Sequence, residues 1–276
     1  SEGSTVELFA RLGCPDIEHT ICAFTFGEAW RQVFPGMDSA DPFTIPSAEV
    51  LFVWGANSTA SNSHLPPLIN QCKQNGGTVV VVDPRRTGIA ERSDLHVALL
   101  PGTDAVFAMT LASELSRRGV LDTAFISQHV SGADEFLKAC SAWTLESGAR
   151  ECGVEVSVIA QCVDLLENHS KAMLRIGWGV ERNINGGSGM LAVLSLWAVA
   201  GKFGQEGSPF KGPGYVNRED TSRPNGDPGR DPSKATKTRR LVCPAEKERM
   251  LKEGPTKTPY TFIENNCHDW AQGYTN

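Results

Sequence analysis

A chain of 276 residues with 40% apolar content can bury a sizeable core, enough for one large or two small domains. Its formal charge of −6, with no basic stripe before the C-terminal tail, gives nucleic-acid binding no electrostatic footing. The longest apolar run, Gly189 to Gly201, is too short to span a bilayer and reads as a core helix.

From Pro46 to Gly204 short β-type runs alternate with longer helical ones. Val50 to Trp54 (VLFVW) is a continuous apolar run, the mark of a strand buried on both faces, and it stops at Gly55-Ala56-Asn57. A helix from about Pro66 to Asn75 follows, closed by Gly76-Gly77 where a left-handed cap is needed. Thr78 to Val82 (TVVVV) is the second strand and halts at Asp83-Pro84-Arg85-Arg86. Leu95 to Leu100 is the third, halted by Pro101-Gly102, after which Thr103 opens a helix to about Arg118. Two or three shorter helices are expected over Asp122 to Asn168. Ala172 to Ile176 (AMLRI) is the fourth strand, ending at Gly177-Trp178-Gly179, and a helix from about Ser188 to Phe203 covers the sheet. This alternation predicts a doubly wound α/β domain, a mostly parallel sheet with helices on both faces.

After Gly207 the character changes. Eight of the sixteen prolines fall there, and the balance turns from acidic to basic, so residues 208–276 read as an irregular Pro/Gly-rich tail. The domain organisation is therefore an N-terminal segment (1–46), an α/β domain (47–207) and the tail. The eight cysteines, at 14, 22, 72, 140, 152, 162, 243 and 267, form no C-x-x-C pair and read mainly as buried free thiols.

Parallel sheets bind ligands at the carboxyl ends of their strands, where the loops splay and helix N-termini offer free N–H groups. All four strand ends here carry residues suited to a nucleotide: glycines for close backbone approach, an aspartate for hydroxyl or base donors, an arginine for phosphate oxygens. Each has a plainer explanation. Asp83-Pro84 can be a simple turn, Thr103-Asp104 ordinary helix-start chemistry, and Gly177 and Gly179 a tight strand-to-helix turn. Their coincidence on one edge outweighs the separate explanations. No G-x-G-x-x-G, P-loop or G-x-S-x-G pattern is present.

The segments LFVWGANSTASNSH, VVVVDPRRTGIAERSDLHVALLPGTDAVFAM, RIGWGVERNINGG and LWAVAGKFGQEG, in this order, resemble the central region of the dimethyl sulfoxide reductase family of molybdopterin oxidoreductases. The resemblance covers roughly residues 8 to 207. It implies molybdenum or tungsten held by two molybdopterin guanine dinucleotides, with Gly55, Asn57, Ser63 and His64 approaching one dinucleotide. It further implies Asp83 and Arg85 at the nucleotide moiety, Asp104 facing guanine beside Gly102, and Gly177, Gly179 and Arg182 near the pterin and metal. The family's protein ligand to the metal lies some thirty-odd residues before the G-x-N asparagine, which points to Cys22, with Cys14 as competitor and a buried structural cysteine as the plain alternative. A thiolate is a soft ligand that suits such a metal. Ala23 stands where formate dehydrogenases place a histidine, which disfavours formate oxidation.

The family's N-terminal iron–sulfur cysteine motif is not in this sequence, nor is the C-terminal domain that completes the second dinucleotide site. The expectation is therefore part of a catalytic subunit for two-electron redox or oxygen-atom transfer, inactive alone, acting on a small-molecule substrate with an electron-transfer subunit as partner. The family setting leaves prokaryotic cytoplasm or periplasm open. Its rivals are a non-catalytic α/β nucleotide-binding module and a folded, ligand-free remnant.

Overall fold

The structure is a computed structural model that describes residues 8–9, 11–14, 24–33 and 41–202. Its centre is a four-stranded parallel sheet of β1 (Val50–Trp54), β2 (Thr78–Val82), β3 (Leu95–Val97) and β4 (Ala172–Ile176), in the spatial order β3-β2-β1-β4. β1 pairs in full register with both neighbours, Phe52 opposite Val80 on one side and Leu174 on the other.

Because β1 is central, every one of its side chains is buried, and alternate residues feed two different cores. Val50, Phe52 and Trp54 join Val80, Val82, Leu174 and Ile176 on one face, under α4 (Asp104–Arg118) and α9 (Gly186–Val199). Leu51 and Val53 join Val79, Val81 and Met173 on the other. That second face is covered by Ile45 of a 3-10 turn (Pro42–Ser47) and by Leu65, Ile69 and Cys72 of α3 (Leu65–Gln74). Helix α1 (Phe24–Val33) packs Ala29, Trp30 and Val33 into the first core, against α9. A single turn of helix, α2 (Ser58–Ser61), links β1 to α3.

Strands β1, β2 and β4 lie where the apolar runs put them. Three expectations need correction. The third strand ends at Val97, not Leu100: Ala98 and Leu100 face solvent, and the Leu100 N–H donates to Cys152 O at 2.9 Å instead of extending the sheet. The stretch from Asp122 to Asn168 holds four helices: α5 (Thr123–His129), α6 (Ala133–Cys140), α7 (Leu145–Cys152) and α8 (Val156–Asn168). Two of the four starts carry a side-chain cap, Asp122 accepting from Phe125 N and the Thr144–Ser147 capping box. The covering helix runs from Gly186 to Val199, shifted towards the N-terminus. Gly76 and Gly119 adopt the left-handed φ values expected of helix stops. Cys72, Cys140, Cys152 and Cys162 are buried free thiols, and burial pushes Cys152 and Cys162 up to about 12; Cys14 is exposed. The tail 208–276 lies outside the described residues.

Helices α4 and α8 are joined by Arg118, whose guanidinium contacts Glu114, Asp164 and Glu167 at 2.6 to 3.0 Å. Glu114 is nearly buried, and the two arginines Arg117 and Arg118 hold its carboxyl below the usual range against the desolvation that raises it. Arg118→Ala leaves that carboxylate with Arg117 alone and cuts the link to α8. The expected loss is about 1–3 kcal/mol in urea unfolding, with an unchanged slope.

Candidate functional site

The hydrogen-bond ladder of the sheet continues past the ends of the strands. Gly55 N donates to Val82 O at 2.8 Å, Asp83 N to Val97 O at 3.1 Å, Gly177 N to Trp54 O at 2.7 Å and Gly179 N to Gly55 O at 2.9 Å. The segments leaving β1 and β4 then diverge: α3 covers one face of the sheet and α9 the other. This divergence at adjacent strands is the switch point at which open α/β sheets form a crevice.

Gly55, Gly177 and Gly179 meet at the tips of β1 and β4. A Cβ on Gly177 or on Gly179 would lie 2.5 Å from Gly55 O, and one on Gly55 would lie 2.8 Å from the Val180 side chain. Gly55 also has φ +58°, a left-handed backbone that favours glycine. These glycines therefore let the two strand tips pack on each other. Gly102 differs: its φ is +87°, and a Cβ there would meet only Asn183 Cβ, at 3.7 Å.

The polar residues sort by surroundings. Asp83 is half-buried and its Oδ1 accepts from Arg85 N at 2.8 Å, the turn that its proline neighbour allows. The Arg85 side chain is exposed, as are Ser63 and His64 on the turn before α3. Arg182, also exposed, closes the 3-10 turn Val180–Arg182 beyond β4. Asn57 is half-buried; its Oδ1 accepts from Thr59 Oγ1 at 2.6 Å and its carbonyl from the Ser61 backbone and hydroxyl. Thus Gly55, Gly177 and Gly179 touch, and Asp83 acts electrostatically on Asp104. Ser63, His64 and Arg85 sit outward on exposed loops.

Asp104 is the first residue of α4, half-buried, and its Oδ1 accepts from Trp54 Nε1 at 2.7 Å. The neighbouring Thr103 hydroxyl bonds back to Leu100 O rather than capping the helix. Burial raises the Asp104 carboxyl above the ordinary range, the Trp54 bond and its own backbone N–H oppose this, and Asp83 adds a smaller upward push. Trp54 escaped the sequence reading because it counted only as a strand residue; an aromatic with a polar handle at a strand's carboxyl end was the available signal. Ser58 escaped too. Its hydroxyl is buried beside the tip of β1 and has no hydrogen-bond partner among the described residues.

Cys22 lies outside the described residues. The helix beginning two residues later, α1, has its Phe26 N–H bonded to Glu181 Oε2 of the loop after β4 at 2.8 Å. Among the described residues no group of three His, Cys, Asp or Glu could hold a metal. No helix among them is long and apolar enough to cross a membrane.

Two outcomes follow. Gly177→Ala drives a methyl into the Gly55 carbonyl, and a loss of about 2–4 kcal/mol in denaturant stability is expected, beyond the cost of an ordinary glycine-to-alanine change. Asp104 keeps its proton to higher pH in the folded than in the unfolded chain. Its contribution is present below about pH 4 and is lost as pH rises through the folded value. Asp104→Asn should remove that part of the slope in melting temperature measured across acid pH, while an unchanged slope would refute the assignment.

The solved structure of an acetylene hydratase from Pelobacter acetylenicus superposes with a TM-score of 0.63 at 22% identity, over 75% of this chain and 28% of that one, which establishes the fold. The assimilatory nitrate reductase of Haloferax mediterranei is 28% identical over 73% of this chain and 28% of its own length. Formate dehydrogenase H of Escherichia coli is 26% identical over 80% of this chain and 31% of its own. The chain spans under a third of the length of the curated relatives it matches. Residues 19–273, well over half of the chain and including most of the tail, match the family described as Molybdopterin oxidoreductase, and the chain belongs to that family.

Proposed function

We propose that the chain is the central portion of a molybdenum or tungsten oxidoreductase that holds its metal between two molybdopterin guanine dinucleotides. The crevice between β1 and β4 takes one dinucleotide. The observation that carries this reading is the divergence of the paths after two adjacent strands, with a half-buried, incompletely engaged carboxylate, Asp104, at its edge. A guanine edge offers the paired donors that such a carboxylate lacks. The buried Ser58 hydroxyl, without a partner among the described residues, is further support for a polar group bound beside the tip of β1.

In this reading Asp104 accepts from guanine, with Gly102 giving the backbone room beside it. Asp83 and the outward Arg85 hold the nucleotide moiety, and Asn57, Ser63 and His64 close the β1 side. Gly55, Gly177 and Gly179 shape the floor, and Arg182 reaches the pterin side. Cys22 supplies the protein thiolate to the metal, supported by the tie between α1 and the loop after β4. When bound, the cofactor supplies the two-electron redox or oxygen-atom chemistry; this chain's residues bind, orient and shield it. An iron–sulfur cluster and an electron-transfer subunit belong to the parent enzyme. The relatives act in name on nitrate and on formate, so the reading commits to no substrate.

The test is metal and nucleotide analysis of the chain purified from a host that makes the molybdenum cofactor. Plasma mass spectrometry should find molybdenum or tungsten, chromatography should find released GMP, and Cys22→Ser should lose the metal while retaining GMP. GMP without metal in the unaltered chain would reduce it to a nucleotide-binding module. Neither would mean a ligand-free remnant.

A further inference from the structure

We propose that Trp54 is a positioning residue for base selection: by donating its indole N–H to Asp104, it sets the carboxylate so that its remaining acceptor positions meet the paired donors of a guanine. The inference rests on the guanine reading of Asp104 given above.

Geometry carries it. The 2.7 Å separation between Trp54 Nε1 and Asp104 Oδ1 is that of a charge-assisted hydrogen bond. Trp54 is fully buried, and its ring is held edge-on by Phe107 at 5.5 Å and Trp197 at 6.4 Å. Trp197 is fixed in turn by Phe52 at 5.2 Å and by its own indole bond to Ala172 O at 3.2 Å. The donor therefore cannot follow a wandering carboxylate; the carboxylate follows the donor. A Cβ on Gly189 would lie 3.2 Å from Asp104 Cβ, so the missing side chain lets α9 close against the first residue of α4.

The count of acceptors gives the selectivity. An ionised carboxylate has roughly four acceptor positions. The Trp54 indole and the residue's own backbone N–H act on it already, leaving capacity for two more donors. Guanine presents two adjacent donors, its ring N–H and its amino group, whereas adenine presents a donor beside an acceptor. The charged and titratable groups acting with Asp104 are Asp83, which disfavours its ionisation, and Cys152, whose high proton affinity keeps it neutral. Removing the indole N–H removes a bond that favours the ionised form, so the acid limit of guanine binding must move upward.

Calorimetric titration of the full chain with GMP and with AMP, repeated from about pH 4 to 8, tests this. The unaltered chain should prefer GMP. Trp54→Phe, which keeps the aromatic ring and deletes the donor, should lose about tenfold or more in GMP affinity, leave AMP unchanged, and shift the acid midpoint of GMP binding to higher pH. A Trp54 that only supports the fold would weaken both ligands alike and leave the midpoint in place, and that result overturns the proposal. Equal affinity for GMP and AMP, or none for either, in the unaltered chain overturns the guanine reading itself. Should Trp54→Phe not fold, nuclear magnetic resonance of the unaltered chain with nitrogen-labelled tryptophan decides. One indole resonance must titrate in acid, cease to do so in Asp104→Asn, and move with GMP but not AMP; indole signals indifferent to GMP refute the proposal.

Discussion

The parallel pairing of β1 with β4 is the constraint on which the site depends. The chain builds the sheet outward from β1 through β2 to β3, then crosses back to lay β4 on the other side of β1. Residues far apart in sequence thereby become neighbours at one edge, and the paths leaving them go to opposite faces. A sheet with the same strands in consecutive order would send both paths the same way and leave no crevice. The pairing is held by apolar burial: every residue of β1 and four of the five in β4 are buried. At about 1.5–3 kcal/mol for each large apolar side chain, no alternative register that exposed one face could compete.

At the tips of these strands apolar burial gives way to backbone contact. Three glycines allow Gly55 O to accept from Gly179 N while two chains cross within the reach of a methyl group. The letters that looked like room for a ligand phosphate are first of all room for the protein's own carbonyl. The contact between the two strand tips is thus made chiefly by backbone. In the proposed reading, discrimination falls to the polar groups beside them, above all Asp104, which is tied to the buried aromatic cluster, and Asp83, which acts on it electrostatically.

Much of the fold was legible because its strands are continuous apolar runs and its helix ends carry glycine stops. Val50 to Trp54 and Ala172 to Ile176 coincide with β1 and β4 for that reason. The third strand was read too long because Leu99 and Leu100 are apolar, yet their backbone turns towards α7 rather than along β2. The four helices between Asp122 and Asn168 are hard to separate in the sequence because short helices bury narrow stripes and their ends are weakly marked. The site residues emerged from motif order, whereas Trp54 and Ser58 carry their meaning only in three dimensions: one through a hydrogen bond to a residue fifty positions away, the other through the lack of any partner.

This division between what glycines and polar side chains contribute has a consequence for reading such motifs. The G-x-N and G-x-G segments are satisfied by internal contacts, so a chain that kept them would keep the crevice whatever it bound. Asp104 is different, because its burial disfavours the charge that an accepting carboxylate must carry. A half-buried acid at a helix start is costly to the fold unless donors reach it. The buried indole meets part of that need permanently, and a donor-rich ligand edge would meet the rest. Under the proposed guanine reading, selectivity therefore falls where folding stability is spent, at the junction of β1 and α4, and not in the glycine turns that first draw the eye.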